Sequence, residues 1–247
     1  MEHFDLYTVK ARLAPAIITV APAIALLVAV LDLRSFDATQ LWATIGLVVV
    51  LFALSNVSRE AGRRVQNRVY RDNGGWPTFD PIYYSDRTFS DEAKLRYLSF
   101  LSKQLRRPYP TMEQATSDPL GARQFYNEAA TWLREATRDT TQYRIIYDEN
   151  ITYGYFRNLL GLKWIALMMN LAVSLTCLLI LYGYIQWFND ATASLPYVLT
   201  VSVLHFVYVL FGVSDARMRE ASKRYARQLL LACDKLDAPE TKYAAPV

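Results

Sequence analysis

Arginine and tyrosine are the residues of this chain whose types and spacing could do chemistry. Arg64, Arg68 and Arg71 recur at i, i+4 and i+7, which sets three guanidinium groups on one face of a helix. Lys103, Arg106 and Arg107 form a second group ahead of "PYP". Arg134, Arg138 and Arg144 form a third, and Arg157 follows. Tyr83, Tyr84, Tyr97, Tyr109, Tyr126, Tyr143, Tyr147, Tyr153 and Tyr155 are interleaved with them. A planar guanidinium holds phosphate through paired hydrogen bonds, and aromatic rings stack on bases. Arg68, Arg71, Lys103, Arg106, Arg107, Arg134, Arg138, Arg144 and Arg157 are therefore the expected binders of a phosphate-bearing ligand. The competing expectation is that the tyrosines close a small helical core while the arginines pair with neighbouring Asp and Glu.

Signs of enzymatic chemistry are missing. No nucleophile elbow, zinc-helix motif, Walker loop or dinucleotide glycine fingerprint occurs, and "DNGG" reads as a turn. No catalytic residue is assigned and no cofactor is expected. His3 and His205 are far apart and no ligand cluster has metal spacing, so no metal is expected. Cys177 and Cys233 fall in different surroundings and are read as unpaired thiols. The sequon Asn150-Ile151-Thr152 falls on the side of the membrane read as cytoplasmic and goes unused.

The elements that must position these residues divide between oil and charge. Apolar residues make up 53% of the chain and charged ones 20%, so the two are segregated in blocks. Leu13 to Leu31, Ala38 to Val57, Trp164 to Phe188 and Ala191 to Ser214 are nearly or wholly uncharged. Each is long enough to cross a hydrocarbon core of about 30 Å at about 1.5 Å per residue. Of the 27 Lys and Arg, all but Arg34 fall on one side of a four-span arrangement, which the positive-inside rule makes the cytoplasm. The short hairpins carrying Asp32, Asp37 and Asp190 then face outward.

The expected fold is an all-α integral membrane protein with both termini cytoplasmic. Residues 1–57 form a first transmembrane hairpin, 58–163 a helical cytoplasmic domain, 164–214 a second hairpin, and 215–247 an amphipathic helix and tail. The second span continues as a helix to about Tyr70. Ser90 N-caps a helix with an apolar stripe of Leu95, Leu98, Leu101 and Leu105. Thr111 and Gln114 form a capping box, and Asp118-Pro119 starts a further helix. After a break near "RDTTQ" a helix runs into the third span without a loop. On it Asn150, Gly154, Asn158 and Gly161 make one narrow stripe suited to close helix approach, so the helix reads as a continuous lever. Met218, Tyr225, Leu229, Ala232 and Leu236 stripe the last helix, to pack on the protein's own domain or on a neighbouring subunit.

Within the spans Asn170, Ser174, Thr200 and His205 are the expected pore-lining or interhelical polar residues. Asn170 and His205 are costly in lipid and should face protein or water. No span holds a clear charge, which argues against a proton-coupled pump and suits an oligomeric pore that gates by dewetting.

The run "TRDTTQYRIIYDENITYGYFRNLLGLKW", Thr137 to Trp164, resembles a segment of small bacterial membrane proteins. The overall plan resembles the transmembrane effectors of nucleotidyltransferase-linked anti-phage defence, with the Hailong-type channel effector nearest in architecture. That resemblance implies a homo-oligomeric ion channel in the bacterial inner membrane. It would be gated by a nucleotide or short oligonucleotide, possibly DNA, made by a partner nucleotidyltransferase, and would depolarise the membrane and arrest growth. The alternatives are a membrane-anchored scaffold with no pore and, behind it, a lipid-modifying enzyme.

Overall fold

The computed structural model describes residues 6–31, 38–186, 188 and 191–238, without the side chain of residue 39. His3, Asp32, Arg34, Asp37, Asp190 and Lys242 lie outside the described residues. Every regular element among the described residues is helical. They are α1 (Thr8–Val30), α2 (Ala38–Val69), α3 (Asp91–Leu105), α4 (Met112–Ser117), α5 (Pro119–Ala136), α6 (Arg144–Leu181), α7 (Leu195–Gly212) and α8 (Asp215–Leu236). Two short 3-10 turns, Arg71–Asn73 and Asp80–Ile82, lie between α2 and α3. The chain forms two compact units, Met1–Gln66 with Gly154–Met218, and Asn67–Tyr153 with Arg219–Val247. α2, α6 and α8 are single unbroken helices that contribute to both.

In the first unit, α1, α2, α6 and α7 are each long and apolar enough to cross a membrane. A helix satisfies its own backbone, which is what a hydrocarbon solvent demands. Two prolines disturb that accounting in α1. Pro15 and Pro22 have no N–H to give to the carbonyls of Ala11 and Ile18, and the first turns, Thr8–Leu13, wind wide as a π-helix. The α1–α6–α7 contact buries Val173, Cys177, Ile180, Leu195 and Val198, with Ala23 and Leu26 of α1 against them.

The glycine stripe does what its spacing predicts. A Cβ added at Gly161 would stand 2.5 Å from the Gly62 nitrogen and 2.6 Å from the Ala61 carbonyl carbon, so α6 and α2 meet backbone to backbone. At Gly154 it would meet the Tyr7 hydroxyl at 2.7 Å and the Ala11 Cβ at 3.1 Å, so α1 closes on the same face. α2 otherwise offers its apolar side outward, with Trp42, Val48, Val49 and Phe52 all exposed.

The second unit packs α3, α5, the first turns of α6 and the later part of α8 around one core. Phe79, Ile82, Leu98, Leu101, Phe125 and Leu133 are fully buried in it, and Tyr97, Tyr126 and Tyr143 join them. The caps are local and match the sequence reading. Ser90 accepts from the Ala93 N–H, Thr111 and Gln114 form the reciprocal box, and Asp118 accepts from the Gly121 N–H at 3.0 Å. The α3 stripe is turned from the expected one. Leu98 and Leu101 are buried and Leu105 packs at the edge, but Leu95 is 44% exposed. Tyr97 and Phe100 take its place, since the larger rings supply more apolar area and pull the buried face round the helix. The same rotation buries Lys94, whose ammonium bonds the carbonyls of Asp86 and Tyr84. Of the α8 stripe, Leu229 and Ala232 are buried in this core with Tyr225 and Leu236 against it, while Met218 belongs to the first unit and is buried there.

Candidate functional sites

The second unit carries an indole-lined groove of about 590 Å³, within the size range of small-molecule sites. Its walls are Trp76, Trp132, Leu105, Asn127, Glu128 and Arg134. The "DNGGWP" turn delivers Trp76. Gly74 and Gly75 take φ of 64° and 82°, open to glycine at little cost, and reverse the chain. Asn73 then locks the turn, donating to the Trp76 carbonyl at 2.8 Å and exchanging amide hydrogen bonds with Asn127 at 3.2 Å. Trp132 is held edge-on by Phe100, with ring centroids 5.7 Å apart. The Arg134 guanidinium lies 5.9 Å from the centre of the Trp76 ring and donates to the Thr131 hydroxyl at 2.9 Å. A ring with a cation over it forms an arrangement that can hold a planar, anion-bearing ligand.

The expected binding residues are placed unequally around this groove. Arg134 lines it. Arg107 bonds both oxygens of Glu128, a wall residue, at 3.1 Å and itself lines a separate cleft with Pro108, Pro110 and Phe125. Lys103 and Arg106 sit at the C-terminus of α3, where Arg106 adopts the left-handed cap with φ of 51° and its N–H bonds the Lys103 and Ser102 carbonyls. Arg138 pairs with Glu135 at 3.0 Å, and Arg144 with Asp148 at 3.2 Å. Arg68 and Arg71 are exposed at the end of α2 and in the turn after it. Arg157 belongs to the first unit, where it donates to Gln66 at 3.3 Å and to Asn158 at 3.1 Å. Arg134 is thus the one of the nine that lines the groove. The two tryptophans escaped the sequence reading; a tryptophan between a Gly-Gly turn and Pro77 was the available signal.

A second, smaller pocket of about 300 Å³ is walled by Tyr83, Tyr84, Tyr126, Met112 and Arg123. The Tyr83 and Tyr126 rings lie 4.8 Å apart, and neither hydroxyl has a hydrogen-bond partner. Burial pushes both phenols up to about 12.

In the first unit, three of the four polar residues singled out on the apolar helices form one network. The Asn170 amide donates to the Ser202 carbonyl at 2.9 Å and to His205 Nδ1 at 2.8 Å. An amide N–H can only donate, so Nδ1 accepts and the ring proton sits on Nε2. Nε2 donates to the Ile18 carbonyl at 2.8 Å. Ser174 reaches the Asn170 oxygen at 3.5 Å. Thr200 bonds the Pro196 carbonyl of its own helix at 2.9 Å. Asn158, fully buried, donates to the Ala11 carbonyl at 2.6 Å. Both carbonyls that α1 loses to proline are therefore bonded by a side chain from another helix. Lys163 does the same for α7, donating to Leu210 and Val213 at 3.0 and 2.7 Å where the helix ends.

No protein family, curated protein or solved structure matches the chain. Length and composition of the four apolar helices define the class: a helical membrane protein with a separate compact polar unit.

Proposed function

We propose that the chain is a four-span effector of the bacterial inner membrane, its polar unit cytoplasmic, which conducts ions as a homo-oligomer when a nucleotide or short oligonucleotide binds that unit. The observation that carries the ligand half is the Trp76–Arg134 pair in a groove of ligand size. The defence role, with depolarisation and growth arrest as its outcome and a partner nucleotidyltransferase as the ligand's source, rests on the resemblance of the overall four-span plan.

The way the polar side chains of the spans are used supports the oligomeric reading. Asn170 and His205 are spent on each other and on α1 and α7, so a conducting path would form between copies. The exposed apolar side of α2 suits contact with lipid or with another copy. A scaffold would need a free apolar face on α8 for its partners, and Tyr225, Leu229, Ala232 and Leu236 are taken up by the core of their own unit.

The test is ion flux from liposomes carrying purified protein, with short DNA oligomers added on the side of the polar unit. Flux that appears with oligomer and is absent without it supports the reading. No flux under either condition, from protein shown to be folded and inserted, overturns it.

A further inference from the structure

The glycine seam that draws α1, α2 and α6 together has an electrostatic consequence in the first unit. It brings Arg12 of α1, Arg59 and Arg63 of α2, and Arg157 of α6 close enough for their charges to act on one another. Asn158, beside Arg157, bonds the carbonyl of Ala11, beside Arg12, and lies against Gly62, beside Arg63; Arg59, one turn before Arg63, sits in the positive field of all three arginines. Four like charges from three helices repel in the absence of an anion. Among the described residues no ion pair reaches Arg12, Arg59 or Arg63. Arg64, the neighbour of Arg63, by contrast pairs with Glu60. The Arg12 Nε is also buried without a hydrogen-bond acceptor, a donor that a folded protein does not leave idle without cause. Arg157 is pre-positioned by Gln66 and Asn158.

We infer that these four arginines form a binding site for a phosphate group, filled by the headgroup of an anionic phospholipid. Guanidinium forks match phosphate oxygens in pairs, and several forks converging from different helices distinguish a built site from the scattered flanking charge of any span. The height is right for a headgroup. Arg157 precedes Lys163 by six residues, about 9 Å along a helix, and Lys163 closes the end of α7. The headgroup layer is about 5–8 Å deep on each side of the hydrocarbon, so the Arg157 backbone stands just past its outer edge and its long side chain reaches back in, while Arg12 and Arg59 lie within about 3 Å of the ends of the apolar runs at Leu13 and Val57. This inference rests on the reading that the four helices span a bilayer.

The experiment uses the full chain in nanodiscs of phosphatidylcholine doped with phosphatidylglycerol, and native mass spectrometry to read which lipids stay bound on release. The wild type should retain phosphatidylglycerol in preference to phosphatidylcholine. The exposed double variant R59Q/R63Q should lose that preference by roughly tenfold, as for loss of a charge-assisted contact. R64Q, with a charge already paired, should keep it. An unchanged preference in R59Q/R63Q overturns the site. A second arm adds inorganic phosphate to detergent-solubilised protein. A rise in Tm that R59Q/R63Q abolishes, without lipid selectivity, would keep the phosphate site and overturn the lipid as its source. Quenching of Trp42 and Trp164 by brominated lipid reports insertion separately. Quenched tryptophans with no lipid selectivity and no phosphate effect sink the inference alone, whereas unquenched ones sink the spanning reading beneath it.

Discussion

His205 Nε2 donates to the carbonyl of Ile18 at 2.8 Å, the main-chain oxygen whose α-helical donor is missing because residue 22 is proline. A proline inside α1 and a buried histidine on α7 are thus two halves of one interaction. In hydrocarbon an unmet carbonyl costs several kcal/mol, so each half stabilises the other. H205L should lower stability by about 1–3 kcal/mol. P22A returns an N–H to Ile18, so the same H205L change should cost less in that background. A coupling of about 0.6–1.7 kcal/mol is expected from a double-mutant cycle on thermal unfolding in detergent. Additive costs would mean the histidine is not there for the proline.

Gly161 and Gly46 make a matched pair on α6 and α2. G161A drives a methyl into the Gly62 and Ala61 backbone, which cannot swing aside, and should lower Tm by several degrees. G46A meets nothing within 4 Å and should leave Tm unchanged or raise it. Equal effects in a thermal-shift series would contradict the seam.

Arg106 holds a left-handed backbone that a Cβ disfavours by about 1–2 kcal/mol. R106G should therefore stabilise the protein by about 1 kcal/mol. If it also leaves oligonucleotide retention intact, Arg106 serves α3 as a cap and not the ligand as a contact.

The groove is tested by W76A and R134Q. Both sites are at least partly exposed, so both variants should fold, with unchanged circular dichroism. Each should weaken retention of a short DNA oligomer, W76A by about 1–3 kcal/mol for one lost stacking platform. A filter-binding series that shows wild-type affinity for both would remove the ligand from this groove.

The two ends of the pH scale probe different parts of the polar unit. Burial raises the pKa of Asp86, but Lys223 at 2.6 Å and the Thr88 N–H at 2.7 Å outweigh it, so the carboxyl titrates below its usual value of 3.8. Its contribution is present above the unfolded-state pKa and is lost as pH falls through the folded one. K223Q should flatten that acid loss in urea midpoints. Tyr83 and Tyr126 run the other way. Held up to about 12 from 10, they stabilise fully below pH 10 and lose that contribution as pH climbs toward 12. Y126F should reduce the alkaline loss and cost little at neutral pH, because its hydroxyl has no partner to forfeit.

Local chemistry was legible in the chain itself. The caps at Ser90, Thr111 and Asp118 need only residues within three positions of one another, and all three form as their types predict. Four spans are legible for the same reason, since length and polarity are summed along one segment. The Asn150-to-Gly161 stripe revealed a close-packing face through side-chain size alone. Leu95 marks the limit: periodicity names the apolar residues of a helix, but which of them the core takes depends on what stands opposite, and two aromatic rings outcompeted it.

The sequence by itself determined the helical content, the segregation of oil from charge, and the positions where helices begin and touch. Only the tertiary structure decided which carbonyl His205 and Asn158 answer, which arginines face one another, and that Trp76 meets Arg134. Those facts join residues 47 to 187 positions apart within a unit, apart from the Arg59–Arg63 pair on one helix. Hydrogen bonds and charges act across space over a few ångströms, so their partners are set by which helices pack together, and no local pattern carries that information.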